Sequence, residues 1–277
     1  MSAFYTTNDY KSFRKIFEIL SKCFIIVTIR FIRDTVEISS RHGKHKFVFV
    51  TLTNPEFVHP DELILFMNPK NFFYECLKDI KKIDKFTMTF DPHDKGYLKL
   101  EYWKTCGNYP WKKAEYLLNL ELRQKAWNSC SLPKEIEVTT NSDTFHELIK
   151  SFGGVHNVFD IFRDKNDILV GCQSMEKGKG NGNGVIGKGT FLDNEVEYIQ
   201  KYTYGSFYSR DFNALDKIIK HSKNVTITLS RDNDIKPYPV SLSYDVGNVG
   251  TVVFMIGAID TTFFDDKDNN ITEQVYH

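Results

Sequence analysis

The chain has 277 residues, with 36 Lys+Arg balanced by 36 Asp+Glu and 41% hydrophobic residues. That length suits one large domain or two modest ones, and the composition excludes disordered, collagen-like and coiled-coil classes. Zero formal charge excludes a globally polycationic protein, but not a nucleic-acid binder, because charge can be segregated onto one face.

In chain order, the apolar spacing predicts a first helix over about Asp9–Phe24, with Phe13, Ile16, Phe17 and Leu20 on one side. Strands are expected at Ile25–Phe31, Thr35–Ser39 and Lys46–Leu52. A second helix is expected over about Pro69–Ile83, with Asn68 as its cap and Pro69 in its first turn. Strands Phe86–Phe90 and Tyr97–Tyr102 follow. A third helix is expected at Asp143–Phe152, capped by Ser142 or Asp143 and ended by Gly153-Gly154. A fourth is expected over about Ser209–His221, then strands Val225–Leu229 and Val240–Tyr244. Alternating apolar and polar positions in these strands indicate antiparallel sheets with one wet face.

The order repeats. Phe13–Ile16 leading to Arg30–Asp34 corresponds to Phe145–Leu148 leading to Asp160–Asp164, and Lys82–Phe90 corresponds to His221–Leu229. The expected fold is α+β, with two similar domains at 1–118 and 135–277, each with two helices packed on antiparallel sheets. A connecting loop spans 119–134.

Candidate chemistry is sparse. The five cysteines (Cys23, Cys76, Cys106, Cys130, Cys172) show neither zinc spacing nor a disulfide framework. The eight histidines are dispersed, without HExxH, and there is no Gly-x-Ser-x-Gly elbow. No enzyme activity, cofactor or metal is expected. Gly182–Gly189 nearly spells a phosphate-binding loop, but Gly189 replaces the Ser or Thr and a strand-like Thr190-Phe191-Leu192 follows. The reading is a glycine-rich turn entering an edge strand. No apolar run is long enough for a membrane span, no signal-peptide core is visible, and a soluble intracellular protein is expected.

The helices carry an excess of basic residues opposite their apolar faces: Lys11, Arg14, Lys15 and Lys22; Lys78, Lys81, Lys82 and Lys85; His146 and Lys150; and Arg210, Lys217, Lys220 and Lys223. Acidic residues such as Glu195, Glu197, Asp260, Asp265, Asp266 and Asp268 lie outside them. Four helices tilted toward positive charge suggest a phosphate-facing surface. With no aromatic residues read as interleaved, backbone contact with a duplex is expected rather than single-strand stacking.

Over its whole length the sequence resembles the DNA sliding clamps of the proliferating cell nuclear antigen (PCNA) family. The residues carrying the resemblance are Phe13–Leu20, Val36–Ser40, Val48–Leu52, Leu132-Pro133, the Gly178–Ile186 run, and Arg210, Asn213 and Lys217. The resemblance implies a closed homotrimeric ring with helices lining a hole that holds double-stranded DNA. It implies no catalysis; such a clamp tethers a DNA polymerase and other replication proteins, and an ATP-driven loader opens the ring. It assigns DNA contacts to Arg14, Lys15, Lys78, Lys150, Arg210 and Lys217, and the charge pattern of the same helices adds Lys11, Lys81 and Lys220. Copies would join through edge strands near Ala114–Leu122 and Asn183–Phe191, at Tyr116, Leu118, Leu120, Gly184 and Ile186. A partner-peptide pocket would involve Ser40, Lys44, Phe47, Cys130, Leu132, Pro133, Pro239, Phe254, Ile256, Gly257 and Ile259. Ser40, Lys44 and Gly257 depart from the family pattern, and this drift leans toward a viral source. The implied location is the nucleus, or a viral replication compartment in the cytoplasm. The alternative is a clamp-fold structural or interaction protein, such as a viral scaffold or transcription cofactor, that does not encircle DNA.

Overall fold

The computed structural model describes residues 3–32, 35–42, 46–53, 63–90, 97–106, 109–114, 118–119, 121–122, 136–153, 157–164, 167–172, 182–191, 201–212, 215, 222–230 and 239–259. Among these, no helix is long and apolar enough to cross a membrane.

In the first half, β1 (Ala3–Thr7) leads into α1 (Tyr10–Cys23), then β2 (Val27–Ile32), β3 (Thr35–His42), β4 (Lys46–Thr53) and β5 (Leu63–Met67). Next come α2 (Pro69–Asn71), continued directly by a π-helical segment (Phe72–Leu77), and β6 (Lys85–Phe90), β7 (Tyr97–Cys106), β8 (Tyr109–Ala114), β9 (Leu118–Asn119) and β10 (Glu121–Leu122). The second half repeats this with β11 (Ile136–Asn141), α3 (Ser142–Gly153), β12 (Val158–Asp164), β13 (Asp167–Cys172), β14 (Gly182–Lys188), β15 (Thr190–Phe191) and β16 (Lys201–Tyr208). It closes with α4 (Ser209–Phe212), β17 (Asn224–Leu229), β18 (Val240–Val246) and β19 (Gly250–Ile256).

All pairings are antiparallel, as the alternating sequences require. The first half forms β1-β6-β7-β8, with β9 also on β7; the second half forms β14-β13-β12-β16. A large sheet, β10-β5-β2-β3-β4-β19-β18-β17-β11-β15, runs through both halves. Its seam is the β4–β19 pair, which runs from Leu52 opposite Gly250 to Lys46 opposite Ile256. Gly250 has φ +152°, and a Cβ there would strike the Thr51 carbonyl. Only glycine lets the two backbones meet at this point.

One core cluster spans both halves, taking Phe13, Ile16, Phe17 and Leu20 from α1, Phe86 and Tyr102 from the first sheet, and Phe145, Ile149 and Tyr244 from the second half. The core is rich in aromatic contacts. The Phe13 ring lies 4.8 Å from that of Phe86, and Phe17 meets Phe72 edge-on at 4.7 Å.

The register adjusts the sequence repeat. The β2–β3 hairpin closes with Ile32 opposite Thr35, and the β12–β13 hairpin with Asp164 opposite Asp167. Ile32 therefore corresponds to Asp164, two residues beyond the Phe162 that the sequence pattern aligned with it. Side chains alternate with period two along a strand, so a two-residue slip keeps the same pattern.

Two helix ends differ from expectation. The α3 cap is Asn141, whose Oδ1 accepts from the Asp143 and Thr144 amides. The second helix ends its regular turns at Leu77 instead of reaching Ile83. Its start follows expectation: the Asn68 carbonyl side chain accepts from Lys70 and Asn71 N–H ahead of Pro69.

Candidate nucleic-acid and partner interfaces

On α1, burial of Tyr10, Phe13, Ile16, Phe17, Ile19 and Leu20 leaves a narrow polar stripe of Lys11, Arg14, Lys15, Glu18 and Lys22. Its members are not equivalent. Arg14 donates through Nε to the Leu77 carbonyl at 3.0 Å and through Nη2 to the Lys78 carbonyl at 2.9 Å. Tyr10 adds its hydroxyl to Leu77 O, and Tyr102 donates to Cys76 O at 2.9 Å. These donors satisfy the carbonyls at the end of the π-helical segment, which have no further turn to receive them. Arg14 is also placed over the Phe73 ring, 5.7 Å from its centroid. It is a structural cap as much as a surface cation.

Lys15 and Lys22 both reach Glu18, at 2.8 and 2.9 Å. Partial burial raises the Glu18 carboxyl, but the hydrogen bonds and charges of the two lysines outweigh it and hold the group at about 2. These three residues form one unit of net charge +1, which weakens Lys15 as an independent phosphate contact.

The exposed cations of the helices and their flanks are Lys11, Lys22, Lys70, Lys78, Lys81, Lys82, Lys150, Arg210 and Lys223. They outnumber the exposed acids Glu75, Asp79, Asp84, Asp143 and Glu147. α1 packs on α2 and its π continuation, and α3 packs on α4. Each half thus gathers its cations on a helix pair. Lys217 and Lys220 lie outside the described residues.

The cations are not free of aromatic company, which corrects the sequence reading. Lys78 Nζ lies 5.0 Å from the centroid of the exposed Tyr74 ring, and the Arg210 guanidinium 4.7 Å from that of Tyr208. Tyr74 sits on the polar side of the second helix, off the apolar positions 72, 73, 76 and 77, and Tyr208 closes a strand rather than sitting on the helix.

The glycine-rich run is itself β14, the edge strand of the second-half sheet, and not a turn before one. A Cβ on Gly184 would meet the end of the Leu148 side chain of α3, and one on Gly187 would meet Val138 at 2.8 Å, so the strand packs closely on its neighbours at both glycines. At Gly189 the chain passes to β15, which pairs with β11. An extended strand points successive amides to opposite sides, so it cannot converge them on a phosphate. Ile186 belongs to the chain's own core, and Val185 is 58% exposed. Leu118 lies in β9, beside β8 on the same edge of β7. Tyr116 and Leu120 lie outside the described residues.

At the β4–β19 seam the strand register sorts the expected pocket residues onto opposite faces. Ser40, Val48 and Phe254 are cross-strand partners, and Ile256 lies two residues along from Phe254. Val48, Phe254 and Ile256 belong to the buried core cluster. Ser40, also buried, donates to the Ile26 carbonyl. Phe47 faces the other way, with Arg41 and Met255 opposite it and Phe49 and Val253 paired alongside. Phe49, Val253 and Met255 are half-buried, and Phe47 is buried but outside the core cluster. The apolar row on the sheet face away from the core cluster is therefore buried Phe47 with half-buried Phe49, Val253 and Met255; Met255, not Phe254, accompanies Phe47. Pro239 and Gly257 are buried, and the half-buried Ile259 donates its amide to Ser206 O. Lys44, Cys130, Leu132 and Pro133 lie outside the described residues, as do the acidic positions named above.

No group of three or more His, Cys, Asp or Glu able to hold a metal occurs among the described residues. Neither family models nor curated protein sequences match the chain. Solved structures do: the fold is similar to that of the PCNA2–PCNA3 complex from Sulfolobus tokodaii, with a TM-score of 0.65 and 13% identity, covering 93% of this chain and 98% of that one. The fold is that of a PCNA clamp subunit.

Proposed function

We propose that this chain is a non-enzymatic sliding clamp. Three copies join head to tail into a ring, double-stranded DNA passes through it, and the ring tethers a DNA polymerase and other replication proteins. The observation that carries the reading is the seam inside the chain. By their place in the repeat, β4 corresponds to β14 and β19 to β8. Inside the chain β4 and β19 pair with each other; β14 and β8 each end their sheets among the described residues. An unpaired edge invites another strand. Pairing β14 of one copy with β8 of the next repeats the internal seam and closes a ring when the rotation closes.

The internal register supplies the external one that the proposal requires. Thr51 pairs with Thr251 at the seam. Thr51 corresponds to Val185, because each lies opposite the second residue from its hairpin closure, Glu37 and Leu169. Thr251 corresponds to Lys112, because Tyr244 and Tyr102 match and the next residues, Asp245 and Trp103, oppose them. Val185 of one copy therefore faces Lys112 of the next.

Cations distributed on the helices suit a ring that slides, since phosphate contacts carry no sequence information. The apolar row Phe47, Phe49, Val253 and Met255 suits a short apolar partner peptide. Topological retention replaces affinity, and an ATP-driven loader is the expected opener.

Encirclement is tested by closing the ring covalently. A Lys112→Cys/Val185→Cys chain, oxidised in the presence of circular duplex DNA, should stay with the circle through high salt. It should leave once a restriction enzyme cuts the circle. Release from the intact circle in high salt, despite complete cross-linking, would refute encirclement.

A further inference from the structure

We infer that the first-half helix face also binds single-stranded DNA, with Tyr74 as the stacking platform. This rests on reading the helices as a nucleic-acid surface, and it adds a second nucleic-acid form to that surface.

Tyr74 is 44% exposed, unlike its neighbours Phe72, Phe73, Cys76 and Leu77, which are all buried. The buried residues fall at 72, 73, 76 and 77, one face that leaves Tyr74 outside, in a π-helical segment whose Lys78 amide bonds to the Phe73 carbonyl five residues back at 2.8 Å. π-helical turns of this kind recur at functional positions.

The ring's surroundings are those of a polyanion site. Lys78 Nζ lies 5.0 Å from its centroid, Phe73 meets it edge-on at 5.3 Å, and Lys70 lies one turn before it. Lys81 and Lys82 are exposed beyond Lys78. Glu75, Asp79 and Asp84 are exposed on the same segment, against the four lysines Lys70, Lys78, Lys81 and Lys82. The second half has an independent instance, with Arg210 at 4.7 Å over Tyr208 where α4 begins. An exposed aromatic face beside cations suits unpaired bases, which stack on it whatever their sequence while lysines hold the backbone. A paired duplex hides its base faces and gains only from the cations.

The test is fluorescence anisotropy with a fluorescein-labelled oligo-dT and a labelled duplex of equal length. The unaltered chain should bind both. Tyr74→Ala should weaken oligo-dT binding about fivefold or more and leave duplex binding within about twofold, as expected for contacts made through the lysines. Tyr74→Phe should retain oligo-dT binding, and Tyr74→Leu, which keeps bulk without the π face, should lose it. Equal loss on both DNAs, or undiminished oligo-dT binding by Tyr74→Ala, would overturn the inference. Duplex binding without oligo-dT binding would overturn this inference alone. Failure of the unaltered chain to bind either DNA would overturn the nucleic-acid surface as well.

Discussion

Lys46 Nζ lies 2.7 Å from Asp211 Oδ1, joining the first residue of β4 to the first turn of α4. The pair ties an element of the first half to one of the second, close to the β4–β19 seam. Asp211 is 9% exposed and Lys46 28%, so water screens the pair only in part. Asp211→Asn should lower unfolding free energy by about 1.5–3 kcal/mol, the range for hydrogen bonds to charged groups. A urea titration would show a lower midpoint with an unchanged slope.

Gly250 holds the seam together by having no side chain. Gly250→Ala should destabilise the chain by about 2 kcal/mol or more, since a Cβ meets backbone at a positive φ and not a movable side chain. A thermal melt would check this; an unchanged melting temperature would show that the seam can relax.

Arg14 and Lys78 should separate structure from binding. Arg14→Ala removes a donor shared by the Leu77 and Lys78 carbonyls and should lower the melting temperature. Lys78→Ala removes an exposed cation, so its melting temperature should hold. Its plot of log affinity for duplex against log salt should flatten by about 0.9. The reverse pattern would reassign both residues.

Glu18 carries a pH dependence whose sign is fixed. Its folded pKa, about 2, lies below the ordinary 4.5. Its contribution is therefore present above 4.5 and is lost as pH falls from there through about 2. In Glu18→Gln this acid-dependent part should disappear, so stability falls less between pH 4.5 and 2 than in the unaltered chain. The same substitution releases Lys15 and Lys22 and should tighten duplex binding with a steeper salt dependence.

Much of the fold was legible because burial writes itself as period. Phe13, Ile16, Phe17 and Leu20 gave α1, and Asn68-Pro69 marked the start of the second helix. The repeat was legible as order but not as register, since a two-residue slip at Ile32 and Asp164 leaves every side chain on its face. The same parity governs the peptide surface, where a displacement of one residue exchanges Phe254 for Met255 and core for exterior. Tyr74, off the face of Phe72, Phe73, Cys76 and Leu77, was legible as an exposed ring, and its four-residue spacing to Lys78 already placed the two together. Charge counting located the cationic helices but could not tell the capping Arg14 or the Glu18-bound Lys15 from open cations such as Lys78. That distinction depends on where the end of one helix meets the flank of another.

The central claim is that β14 of one copy completes the sheet ending in β8 of the next, three times over. Native mass spectrometry of the unaltered chain at micromolar concentration tests it directly. The account predicts a dominant species of three times 32.3 kDa that falls to monomer when proline replaces Val185 on the β14 edge. A stable monomer of the unaltered chain, or a trimer indifferent to that proline, would contradict it.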